Sequence, residues 1–181
     1  PEFNDNREVE SVLFVAHDIT EGKQIEREIR SNNLKITESI NYAKRIQSAI
    51  LPSYEQIRKA LPDSFLFYKP KDVVSGDFPW FINVGYVMYF AAVDCTGHGV
   101  PGGFLSMLGI SFLSEITSKL TAPSASEIID HLRDKIKLTL GQMDADSTQK
   151  DGMDLAICVI DPQKKQIQYS GAFNPLFIIR E

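Results

Sequence analysis

Two cysteines, Cys95 and Cys158, are all that the 181 residues contain. Two thiols cannot build a disulfide framework, so folding must rest on burial, and such sparing use of thiol suits a reducing cytosol. Basic residues are also in the minority. Nineteen Lys+Arg stand against 24 Asp+Glu, a formal net charge of −5. That balance argues against nucleic acid as a partner. Long apolar runs are missing. The longest, Tyr86–Val93, falls far short of the roughly 20 residues that cross a bilayer, so no membrane segment is expected in this chain. The polar, acidic start carries no signal-peptide pattern, and a cytoplasmic location is expected. Familiar catalytic signatures are absent too: G-x-x-x-x-G-K-[ST], H-E-x-x-H, G-x-S-x-G and an EF-hand loop. What is present is enough for a real core. Hydrophobic residues make up 43% and charged residues 24%, which excludes a disordered tail.

Residues 1–8 read as a polar loop. Val9 to His17 is β-branched and aromatic, and predicts a buried strand. Asp18 or Thr20 can cap the charged helix that follows. Ile36, Ile40, Ala43, Gln47 and Ile50 form one stripe along it. Asn32-Asn33 predicts a break in the helix, and Pro52 another, with a second helix over 54–61. Such a stripe fits a helix docked on its own domain and equally a dimerising linker.

Beyond residue 62 the pattern becomes globular. Ser64–Tyr68 predicts a short strand. Asp77–Val84 and Tyr86–Asp94 predict a hairpin turning at Gly85. Pro101 opens a helix through Lys119, with Phe104, Met107, Leu108 and Phe112 expected on its packed face. Ser124 and Glu127 have capping-box spacing, ahead of a helix to Leu140. Residues 141–152 read as a polar connection. Strands are expected at Met153–Ile160, Gln166–Gly171 and Leu176–Arg180. Strands, two helices, then strands make an α+β class with helices segregated on antiparallel sheets.

Chemistry concentrates in Lys71–Phe78 and Ala91–Gly103. Asp94 ends an apolar strand and is followed by Gly97, Gly99, Gly102 and Gly103 beside a helix start. A carboxylate, a glycine-rich loop and a helix N-terminus can hold a metal or a phosphate; equally, Asp94 can simply cap the turn. Asp77 and Asp94 bracket the hairpin, so its geometry sets them side by side. Two hard oxygen donors favour Mg²⁺ or Mn²⁺ over zinc. His98 fits a general acid or a loop-orienting role. Cys95 has no base partner to make it a nucleophile, which leaves its backbone carbonyl as the interesting atom. Asp151 and Asp154 read as turn and cap residues, with a metal role as the lesser alternative.

Several long motifs resemble one family. They are Tyr42–Pro52 (YAKRIQSAILP), Tyr68–Phe78 (YKPKDVVSGDF), Ala91–Gly102 (AAVDCTGHGVPG), Asp151–Asp161 (DGMDLAICVID) and Tyr169–Leu176 (YSGAFNPL). Together they are similar to the metal-dependent PPM (type-2C-like) protein serine/threonine phosphatases, SpoIIE/RsbU-type bacterial branch. That resemblance implies a sandwich of two antiparallel sheets flanked by helices. It implies two Mn²⁺ or Mg²⁺ ions in the intact domain. Asp77 would be a metal ligand, Asp94 the bridging ligand, and Cys95 a ligand through its carbonyl. Gly97, His98 and Gly99 would shape the loop. No side chain would act as nucleophile, because a metal-bound hydroxide does the hydrolysis. The implied substrate is a phosphoserine or phosphothreonine protein, often an anti-sigma-factor antagonist.

The family's remaining metal aspartates lie beyond the motifs present here. The chain is therefore expected to be C-terminally truncated, to hold at most one metal well and to be inactive alone. Pro79 and Gly103 stand where the family has an aromatic and an alanine. Val9–Glu28 resembles the end of a PAS sensor domain entering its signalling helix. The expected organisation is a PAS-like remnant over 1–20, a helical signalling linker over 21–61 and a partial phosphatase domain over 62–181. A homodimer through the linker is expected. The competing reading is a catalytically incomplete signalling or dimerisation module with a degenerate phosphatase fold. A weaker one is a phosphate- or nucleotide-binding domain built on the Gly97–Gly103 loop.

Overall fold

Alternating burial along 89–95 turns one face of a hairpin inward, and the rest of the sheet is built on it. The computed structural model describes residues 2–3, 5–12, 14–143 and 150–180. It divides into two compact units, Pro1–Glu38 and Ser39–Glu181.

The first unit holds strands β1 (Glu2–Phe3) and β2 (Val9–Ser11), paired antiparallel, and the start of helix α1 (Thr20–Ile50). Asp18 Oδ1 accepts from the Thr20 backbone N–H at 2.9 Å, which satisfies one free donor at the helix start. Among the described residues, the strand expected over Val9–His17 is confined to Val9–Ser11; Phe14 and Val15 are exposed and outside any ladder. Asn32-Asn33 does not break α1, which is continuous for 31 residues. Asparagine costs only about half a kcal/mol in a helix interior, too little to stop one this long.

The second unit begins with the last turns of α1. Helix α2 (Tyr54–Ala60) follows, started by a reciprocal Ser53–Gln56 capping box. Strands β3 (Phe78–Val84), β4 (Val87–Cys95), β5 (Met153–Asp161) and β6 (Gln166–Ala172) form one antiparallel sheet in that order. Pro79, without a backbone donor, lies on the edge strand. Helices α3 (Gly99–Lys119) and α4 (Ala125–Thr139) cover one face, and α4 starts with the expected Ser124–Glu127 box. The covered face carries Trp80, Ala91 and Ile157 in register, all buried. The opposite face carries the row Phe81, Phe90, Cys158 and Tyr169. The α+β class is as expected. Among the described residues there is one such sheet, one layer of the sandwich that the resemblance implies.

Three further expectations differ from the structure. Helix α3 packs through Leu105, Gly109, Leu113 and Ile116; Phe104 is 67% exposed. The inner face is paved with small residues, because α3 approaches closely enough that a Cβ on Gly109 would sit 2.9 Å from Phe78 Cζ. Composition and length alone would let α3 cross a membrane, yet it is a core helix of this fold. Ser64–Tyr68 is not a strand, since Phe65 and Phe67 are exposed without a ladder partner. Nor is Leu176–Arg180; the sheet's last contact is a single bridge, Leu155 to Phe173. Part of the polar connection over 141–152 lies outside the described residues.

Candidate metal centre

The hairpin register sets the site. Phe78 pairs with Val93, so the neighbouring Asp77 and Asp94 stand at the same end of adjacent strands. Burial, the hydrogen bond with Asp94 and the charge of Asp94, in that order, raise the Asp77 carboxyl above the ordinary carboxylate value. A carboxyl group raised in this way by a neighbouring carboxylate invites a cation between the two.

Asp94 also pairs directly with Asp154 on β5. Asp154 thus lies within the strand expected from Met153, and not in the turn or cap role also read for it. Asp151 lies two residues before β5, where its carbonyl accepts from Gln142 Nε2 at 2.8 Å. Among the described residues, no three His, Cys, Asp or Glu side chains converge as a complete metal cage.

Cys95 is buried. Burial first, then the charges of Asp94 and Asp77, push its thiol up to about 12. It is therefore a protonated, unreactive thiol near neutral pH, as expected for a residue that is no nucleophile. A Cβ on Gly76 would lie 3.3 Å from the Cys95 carbonyl oxygen, so that carbonyl sits beside the segment that delivers Asp77.

Glycine makes this approach possible. Gly97 and Gly99 have φ of +84° and +66°, a region that favours glycine. Gly76 and Gly102 close on the Gly97 carbonyl, where a Cβ on either would lie 2.7 or 2.6 Å from that oxygen. Thr96 ties the loop to β5: its N–H donates to the Gly152 carbonyl at 2.9 Å, and its Oγ1 accepts from the Gly152 N–H at 3.0 Å. His98 is the N-cap of α3, and its Nδ1 lies 2.8 Å from Asp72 Oδ2.

The sequence reading placed Gln47 in an apolar stripe and gave it no task. The structure buries it at 4% exposure behind the Asp77 segment. Its Nε2 donates to the Ser75 carbonyl at 2.7 Å and to Ser106 Oγ at 2.8 Å, and its Oε1 accepts from the Ser75 N–H at 3.1 Å. One amide therefore ties α1 to the loop before Asp77 and to α3. The available signal was an amide at the centre of an otherwise apolar stripe.

The donor set fits a hard divalent cation. Asp77, Asp94 and the Cys95 carbonyl offer oxygen only, and a cation would offset the carboxylate repulsion.

This geometry sits in a known architecture. The structure is similar to the SiaA-PP2C domain of Pseudomonas aeruginosa, with a TM-score of 0.68 and 29% identity. The match covers 78% of this chain, and the chain spans 55% of that structure's length. The fold is thus that of the PPM-type phosphatases, incomplete within these 181 residues. None of the curated proteins compared with the chain matches it. The model of the Stage II sporulation protein E (SpoIIE) family matches residues 85–181, more than half of the chain. The chain belongs to the SpoIIE family.

Proposed function

We propose that this chain carries part of a metal-dependent protein serine/threonine phosphatase domain of a signalling protein. The observation that carries the proposal is the meeting of Asp77 and Asp94 at the end of a PPM-type hairpin. Asp77, Asp94 and the Cys95 carbonyl would hold a Mn²⁺ or Mg²⁺ ion, with a second ion completing the pair in an intact domain. When bound, such ions supply an activated water and stabilise charge on a phosphoryl group.

The chain's own residues set the surroundings. The carboxylates supply negative charge to fix the cation. Gly97 and Gly99, which carry no side chains, let backbone approach it. No thiol or hydroxyl is needed as a nucleophile, which fits the high Cys95 value.

The substrate class is a phosphoserine or phosphothreonine protein in the cytoplasm. An anti-sigma-factor antagonist is the leading candidate, on resemblance to the RsbU-type branch. Ile25, Ile29 and Ile36 are at least 50% exposed on α1 at spacings of four and seven, which supports a homodimer through this helix. That same ridge supports the second reading, a dimerising signalling module without turnover of its own.

The test is Mn²⁺-dependent hydrolysis of p-nitrophenyl phosphate by the full-length protein and by its Asp94→Asn form. Turnover that needs Mn²⁺ and vanishes in the variant is expected. Equal turnover in Asp94→Asn overturns the site. A folded protein with no Mn²⁺-dependent turnover favours the signalling module.

A further inference from the structure

Asp72 and His98 stand outside the carboxylate pair, yet they meet beside it. Asp72 Oδ2 lies 2.8 Å from His98 Nδ1. His98 is the N-cap of α3, with extended backbone and no side-chain capping bond. An N-cap side chain ordinarily accepts from the free N–H groups of the first turn. Here the ring is turned away from its own helix and toward another segment.

That segment matters. Asp72 opens the stretch that ends in Asp77, and His98 closes the stretch that begins with Asp94. The Asp72–His98 pair therefore joins the two backbone segments that deliver the carboxylates. A second contact joins them as well, where Gly76 and Gly102 meet the Gly97 carbonyl. Like charges on Asp77 and Asp94 push these segments apart, and a tie between them opposes that push.

We propose that Asp72 is a positioning residue that, through His98, holds the two segments in register so that Asp77 and Asp94 meet at cation-binding spacing. The proposal rests on the cation-binding reading given above. Side-chain exposures of 68% for His98 and 37% for Asp72 keep the expected effect modest.

The test is a Mn²⁺ titration of the whole chain, following free Mn²⁺ by electron paramagnetic resonance. Wild type, Asp72→Asn, Asp72→Glu, His98→Gln and Asp94→Asn are compared, each with a thermal unfolding curve. Asp72→Asn is expected to raise the half-saturating Mn²⁺ concentration about two- to fivefold at unchanged Tm. Asp72→Glu recovers part of that loss. Adding His98→Gln to Asp72→Asn weakens binding no further, because the two act through one bond. Wild-type affinity in Asp72→Asn, with binding lost in Asp94→Asn, overturns the positioning role and leaves the proposed function standing. An affinity loss matched by a fall in Tm also overturns it, since that is general loosening. A wild-type chain that binds no Mn²⁺, or an Asp94→Asn chain that binds it equally well, overturns both.

Discussion

Replacing Gln47 with alanine tests how the Asp77 segment is held. The amide makes three hydrogen bonds, to the Ser75 carbonyl, the Ser75 N–H and Ser106 Oγ. Ser106 keeps a partner, because its hydroxyl also donates to the Gly103 carbonyl at 2.8 Å. Among the described residues the two Ser75 backbone groups have no other hydrogen-bond partner, and Ser75 is 6% exposed. Each buried group left without a partner costs about 1–3 kcal/mol, so about 2–4 kcal/mol is expected for the pair after partial relaxation. For a unit of this size that lowers Tm by roughly 5–15 °C. Gln47→Leu fills the space without satisfying Ser75, so it should lose nearly as much. Gln47→Glu can still accept from the Ser75 N–H but buries a charge without a donor for the Ser75 carbonyl, so it should lose at least as much. The assay is thermal and urea unfolding followed by circular dichroism. A loss below about 1 kcal/mol for both Gln47→Ala and Gln47→Leu would refute the reasoning, because Ser75 would then have another partner or ready access to water.

Two further outcomes follow from the site. Asp77 has its folded-state value raised, so its stabilising contribution is complete below the ordinary carboxylate range and is lost as pH rises through the raised value. Without metal, Asp94→Asn should therefore stabilise the fold near neutral pH by less than about 1 kcal/mol, and the gain should shrink on acidification; a gain that grows with acid would contradict the pairing. Gly102→Ala puts a Cβ 2.6 Å from the Gly97 carbonyl and 3.0 Å from Gly76 Cα, both backbone atoms, so it should destabilise by about 1–3 kcal/mol. Gly22→Ala, with nothing within 4 Å, should stabilise its helix slightly in the same unfolding assay.

Much of the site was legible in the residues because it depends on local geometry. A hairpin turning at Gly85 brings its two ends together, so Asp77 and Asp94 could be paired from spacing alone. The α4 start was legible for the same reason, since Ser124 and Glu127 cap each other within one turn. What depends on distant packing was hidden. The inner face of α3 is marked by Gly102, Gly103, Ser106 and Gly109, and a search for apolar stripes reads such residues as blank. Gln47 reaches a loop 28 residues away, and Asp72 reaches His98 across 26. The segments 64–68 and 176–180 look like strands by composition, yet the described residues give them no ladder to join. Recognition of the PPM motifs carried the fold class further than periodicity did.

The proposed cation site stands or falls on Asp77 and Asp94. Isothermal titration of Mn²⁺ into the chain and into its Asp77→Asn and Asp94→Asn forms tests it most directly. Saturable binding is expected for the wild type, and either substitution is expected to abolish it or weaken it by at least about tenfold. Equal binding by all three proteins would contradict the site.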